Sequence, residues 1–146
     1  MLLQAAERHP EYIVLADQKR RISYENWARQ VTKLADALVA MGIGHGDRVA
    51  ISMRNSIEFA TALYATQMFG AVAVPFNFRL KADTIDYIVN DSDARALIVD
   101  DVVSADDLAA VVAKNPDILV IRSVPAHGAN EHSLQALMES GSERLH

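Results

Sequence analysis

The sequence has no cysteine. That absence excludes a disulfide framework and thiol catalysis, and it fits the reducing cytoplasm, where the protein is expected. Long apolar runs are also missing: none approaches the ~18 residues that a membrane-crossing helix needs, so no span is expected. The opening MLLQAAERHP lacks the basic lead-in and apolar stretch of a secretory leader. Positive charge is scarce too. Fourteen Lys and Arg stand against nineteen Asp and Glu, a net charge of −5. No basic block stands out, so nucleic acid is not an expected partner. There are six glycines, and none precedes a lysine, so no phosphate-binding P-loop is present. No Gly-x-Ser-x-Gly elbow supports a serine hydrolase. What the chain does have is apolar residues, 51% of its 146 positions. That is enough for one domain with a real core, burying roughly 70% of the surface its unfolded chain exposes.

The apolar residues fall into two periods. Tyr12–Ala16, a polar turn over Asp17–Arg20 and a return strand from Ile22 read as a hairpin. Ser23 is placed to cap a helix. Trp27, Val31, Leu34, Ala35, Leu38 and Met41 then recur at helical spacing, and Gly42 stands at the C-cap. Runs that are apolar throughout follow at RVAISM (48–53), AVAVPF (71–76), RALIVD (95–100) and DILVIR (117–122), spaced roughly 23 residues apart. A helical pattern fills each gap: one from Ile57 that ends at Gly70 behind an Asn55/Glu58 capping box, Ala82–Asn90, and Ser104–Lys114 with Ser104 and Asp107 at its cap and third positions. Unbroken apolar runs suit parallel strands covered on both faces, with right-handed crossovers. The expected fold is therefore α/β: a three-layer helix–sheet–helix sandwich with a mostly parallel sheet, plus an N-terminal hairpin. The division is a single unit over 1–146: hairpin 12–23, βα units 24–122, and a looser tail 123–146 with one short helix near Leu134–Glu139.

Four stretches invite a chemical reading. GIGHGDRVAI (42–51) resembles a nucleotide loop by its glycines, but it follows a helix and precedes a strand. Phosphate binding needs the reverse order, with a helix N-terminus facing the anion. The stretch reads as a helix stop and a strand lead-in. HGANEH brings His127, Glu131 and His132 together, at a spacing that does not suit a zinc-binding helix. Asp91, Asp93, Asp100, Asp101, Asp106 and Asp107 read as a solvated acidic face. VPFNFRLKAD (74–83) is the most suggestive. It leaves a strand at the C-terminal end, where open parallel sheets place ligands. Arg79 and Lys81 put two cations beside a helix start there, for an anion or for balance by Asp83 and Asp86.

Taken together, GDRVAI (46–51), NSIEF (55–59) and GAVAVPFNFRL (70–80) occur in an order and spacing that resemble the start of the adenylate-forming acyl-CoA synthetases, over roughly residues 8–101. The resemblance implies an enzyme that uses ATP and Mg²⁺ to turn a carboxylic acid into an acyl-adenylate, then passes the acyl group to CoA. It implies that this region packs against the remainder of the synthetase. The family's phosphate loop, adenine and ribose contacts and catalytic lysine have no counterparts here, so no catalytic residue and no metal ligand is expected within the chain, and the chain alone is expected to be inactive. One site residue carries over: the arginine of the Asn-x-Arg-Leu segment, Arg79, as a contact to a CoA phosphate. Phe78 departs from the family's frequent proline. An isolated chain is expected to self-associate through the apolar face that normally meets the rest of the enzyme. A stand-alone, non-catalytic oligomerisation or partner-binding module is the alternative, and a free nucleotide-binding domain is the weakest reading.

Overall fold

The computed structural model describes residues 1–123 and 131–142. A short helix α1 (Leu2–Arg8) leads into an antiparallel hairpin of β1 (Ile13–Ala16) and β2 (Arg21–Ser23), and then into the long helix α2 (Tyr24–Ala40). From there strand and helix alternate: β3 (Arg48–Ser52), α3 (Ile57–Met68), β4 (Val72–Pro75), α4 (Ala82–Asp91), β5 (Ala94–Val99), α5 (Ala105–Lys114), β6 (Leu119–Arg122), β7 (Glu131–Ser133) and α6 (Leu134–Ser140). The five later strands form one sheet in the order β4-β3-β5-β6-β7, every neighbouring pair parallel. The expected three-layer α/β fold with its N-terminal hairpin is thus the fold observed.

Alternation along the central strands builds both covered faces. Val49 and Ile51 of β3, with Ala96 and Ile98 of β5 and Ile121 of β6, meet Val31, Leu34 and Leu38 of α2, Ala62 and Ala65 of α3 and Leu134 of α6. Ala50, Leu97, Val99 and Val120 face the other way, onto Ile85 and Val89 of α4 and Leu108 and Val111 of α5. Period two in the strand and 3.6 in the helix make these sets compatible. Truncating a fully buried member such as Leu34 to alanine removes about 2–5 kcal/mol.

Three of the expected caps form. Ser23 accepts from the Asn26 N–H at 3.4 Å and Ser104 from the Asp107 N–H at 3.1 Å. At the end of α2 the Gly42 N–H reaches the Val39 carbonyl and the Ile43 N–H reaches that of Leu38, with Gly42 at φ +90°. That is a Schellman motif, with Ile43 buried beside Leu38 as its apolar contact.

The structure also departs from the sequence reading. The capping box at Asn55 does not form: Ser56 caps α3, accepting from the Phe59 N–H at 3.0 Å. Glu58 instead reaches Arg20 of the hairpin turn at 2.6 Å, while Asp17 takes the other side of that guanidinium at 2.7 Å. AVAVPF is not a buried strand. β4 is the sheet edge, with Val72 48% exposed, and Pro75 withholds an N–H from any further pairing. Helix α1 was not foreseen, having no buried residue to mark it. In the tail, α6 is the short helix expected near Leu134–Glu139, whereas β7 ahead of it was not expected; residues 124–130 and 143–146 lie outside the described residues.

The N-terminal end of the sheet is stitched by the glycine stretch and its followers. The Gly46 N–H bonds the Gly70 carbonyl at 2.9 Å, and Asp47 accepts from the Gly44 N–H at 2.7 Å and from Arg95 at 3.1 Å. Arg48 donates to the Ser92 and Asp93 carbonyls and to the Asp93 carboxylate. Gly70 sits at φ +83°, and a Cβ there would collide with the His45 ring.

Two predictions follow from this framework. Gly42→Ala, with open space around it, costs about 1 kcal/mol through backbone strain alone. Gly70→Ala costs more, and adding His45→Ala recovers the difference; urea titration of the three variants checks this, and equal losses for the two glycine variants would show the His45 ring to be free to swing aside. The second concerns acid. The bond from Arg20 holds the Glu58 carboxyl below its ordinary value of 4.5, so its contribution is complete above that value and is lost as pH falls through the lower folded-state value. Glu58→Gln flattens the urea-midpoint profile between pH 5 and 3; parallel profiles for variant and wild type would remove the link.

Candidate functional site

In a parallel sheet the loops after the strands gather at the C-terminal ends, and ligands settle where strand order reverses. Here the reversal falls between β3 and β5, since the chain runs from β3 out to β4 and then back across. That crevice is filled by protein. The Asp100 carboxylate accepts from the Arg54 backbone N–H at 2.9 Å, from Arg54 Nε at 3.3 Å and from the Val102 N–H at 3.1 Å, and Arg54 Nη2 pairs with Asp101. Asp100 is only 5% exposed. The solvated acidic face therefore loses one member: Asp100 is a buried bridge between the loops after β3 and β5. Its position directly behind the apolar run of β5 was the available signal.

The β4 loop is different. The Phe76 N–H bonds the Ile51 carbonyl at 3.0 Å, which carries pairing one residue past the strand. Asn77 then turns the chain: its Oδ1 accepts from the Arg79 N–H at 2.9 Å, and its carbonyl from the Leu80 N–H at 3.3 Å. Asn77 is thus a structural turn residue. Arg79 is exposed, and its guanidinium carbon lies 5.4 Å from the centre of the Phe78 ring. Beside it a depression of about 480 Å³ is walled by Met53, Asn55, Phe59 and Phe76.

The two cations expected beside the start of α4 do not act together. Lys81 Nζ lies 3.5 Å from Asp107, whose carboxylate also accepts from the Ala82 N–H at 3.3 Å and so occupies the N-terminus of α4. The Ser104 hydroxyl, then the Ala82 N–H and Lys81, hold Asp107 below the usual carboxylate range. Asp83 and Asp86 balance Lys114, at 3.5 and 3.6 Å, and not the β4-loop cations. Of the described cations on the loops after β3 and β4, Arg54 and Lys81 are neutralised and Arg79 has no carboxylate partner.

The remaining motifs resolve differently. His127 lies outside the described residues. Glu131 and His132 are neighbours in β7 and so point to opposite faces, and Glu131 is 3.3 Å from the buried guanidinium of Arg122. Among the described residues no group of three His, Asp or Glu is placed to hold a metal. The three glycines of GIGHGDRVAI lie at the opposite end of the sheet from Arg79, as their place before β3 requires. Sequence reasoning overlooked Phe59 and Phe76, which line the depression with Phe78; their signal was two phenylalanines directly after β4 and a third in the first turn of α3.

Comparison with known proteins gives this geometry a setting. The family model described as AMP-binding enzyme matches residues 2–143. The chain is 42% identical over 78 residues to the long-chain-fatty-acid–CoA ligase FadD13 of Mycobacterium tuberculosis, covering 53% of this chain and 16% of that protein. It is 37% identical over 103 residues to the putative acyl-CoA synthetase YngI of Bacillus subtilis, covering 69% and 19%. Among solved structures, the inhibitor-bound N-terminal domain of FACL13 from Mycobacterium tuberculosis superposes with a TM-score of 0.83 at 29% identity, covering 98% of this chain and 35% of that one. The chain thus spans less than a fifth of the length of those two curated relatives. No described helix is long and apolar enough to cross a membrane. With a family match along nearly its whole length and the fold of a ligase N-terminal domain, the chain belongs to the AMP-binding enzyme family.

Proposed function

We propose that this chain serves as the N-terminal part of a cytoplasmic, AMP-forming acid–thiol ligase. In the complete enzyme a carboxylate oxygen attacks the α-phosphorus of ATP and expels pyrophosphate, with Mg²⁺ offsetting phosphate charge. The CoA thiol then attacks the acyl carbon and expels AMP. The single observation that supports this most is the family match over residues 2–143. The chain alone contributes no catalytic residue in this reading. Arg79 is its one ligand contact, binding a phosphate of the CoA nucleotide; its exposed and unneutralised guanidinium supports that role.

A second observation favours a docking role for the rest of the surface. Past its first turn helix α3 carries no charge, and its outward residues Ala60, Leu63, Tyr64 and Gln67 are uncharged, Tyr64 being 44% exposed. A solvent-facing helix surface ordinarily carries charged and polar residues, so an uncharged outer stripe suits a covered face. Together with the exposed edge at Val72, this face is assigned to the remainder of the synthetase, and in the isolated chain to a second copy. The stand-alone, non-catalytic module differs in making that self-association the function.

Pyrophosphate release with ATP, Mg²⁺ and fatty acids tests the main reading. The chain alone releases none, and a longer in-frame product that includes a glycine-rich loop with its lysine does; release by the 146-residue chain would overturn the assignment of catalysis elsewhere. In that longer enzyme Arg79→Ala raises KM for CoA about tenfold, in keeping with a charged hydrogen bond, and leaves adenylate formation intact; unchanged CoA kinetics would remove the contact. Sedimentation of the isolated chain shows concentration-dependent association that Tyr64→Lys with Val72→Lys abolishes. A pure monomer at high concentration would count against the docking face.

A further inference from the structure

We propose that Phe78 is a positioning residue for Arg79, holding its guanidinium ready for a phosphate; this rests on the reading of Arg79 given above. The two residues are the central pair of the 77–80 turn, whose first residue accepts from the Leu80 N–H with its carbonyl and from the Arg79 N–H with its side chain. The turn fixes the backbone of Arg79 but leaves its long side chain unconstrained. Ordering such a side chain on a ligand costs rotamer entropy. Among the described residues no carboxylate holds it in place. What does is the Phe78 ring, 5.4 Å away and itself half-buried at the depression walled by Phe59 and Phe76. A guanidinium over an aromatic face is attracted by the ring's quadrupole and keeps its N–H edges for an anion. A carboxylate partner would have fixed the side chain equally well, but would have neutralised the charge a phosphate needs.

The ring is separable from the turn. No hydrogen bond among the described residues uses the Phe78 N–H, and the second position of such a turn accepts proline. Phe78→Pro therefore keeps the backbone and removes the aromatic face, Phe78→Leu keeps apolar bulk, and Phe78→Tyr keeps the ring. The experiment is ¹⁵N NMR of the isolated chain, with amide dispersion reporting that each variant is folded. The Arg79 Nε–H signal is ring-current shifted in wild type and in Phe78→Tyr, and loses that shift in Phe78→Pro and Phe78→Leu. In the longer enzyme the Kd for CoA is weakened roughly two- to fivefold in the two variants without a ring, the scale of an exposed cation–π contact. Equal CoA affinity in all four proteins overturns the positioning role and leaves the Arg79 contact standing. A CoA affinity of the longer enzyme that Arg79→Ala leaves unchanged removes the contact itself, and the proposal with it.

Discussion

Everything in this molecule hangs on β3 being covered on both sides. Val49, Ala50, Ile51 and Ser52 have no exposed surface, and the strand pairs in parallel with β4 on one flank and β5 on the other. Parallel neighbours cannot be joined by a tight turn, so the links β3–β4, β4–β5 and β5–β6 cross a face of the sheet, and the helices that make the crossings, α3, α4 and α5, supply cover. Burial of β3 and the βαβ connections are therefore one constraint. It puts α2, α3 and α6 on one face and α4 and α5 on the other, and it sends the loops after the strands to one end and the loops before them to the other.

The two ends have different chemistry for that reason. At the N-terminal end the chain arrives from helix C-termini, whose partial negative charge repels phosphate. The residues there are used for stitching: Gly46 to Gly70, Asp47 to Arg95, Arg48 to the α4–β5 link. The glycines that look like a nucleotide loop are part of that seam. The C-terminal end is where a ligand is expected, yet its central crevice is closed by Asp100 and Arg54. A carboxylate this buried is tolerable because backbone N–H groups and a guanidinium surround it; removing Arg54 would strand the charge.

The strands and long helices were legible because their signal is local: a run of apolar residues, or a stripe at helical spacing with a cap before it. Ser23, Gly42 and Ser104 are caps whose partners lie within a few residues, and all three were readable. What escaped depends on distant partners. Whether AVAVPF is central or at an edge is decided by which strand lies beside it, not by its own residues. Glu58 looked like a capping acid and is instead claimed by Arg20, thirty-eight positions away. Asp107 looked like a helix-start residue of α5 and also closes the N-terminus of α4. Such long-range pairings have no periodicity to detect.

The same long-range pairings explain why Arg79 stands apart. Acidic groups outnumber basic ones in this chain, so a cation near the loops would ordinarily be neutralised, as Arg54 and Lys81 are. Arg79 escapes through topology. β4 is the sheet edge, so no further strand brings its following loop, with any carboxylate it might carry, alongside this turn. Among the described residues α3 packs against β4, and its outward residues Ala60, Leu63, Tyr64 and Gln67 have no charge to offer. An edge strand is ordinarily a liability that invites unwanted pairing; here the proline at its end blunts the pairing, and the missing neighbour is what leaves a cation over the Phe78 ring without a counter-charge.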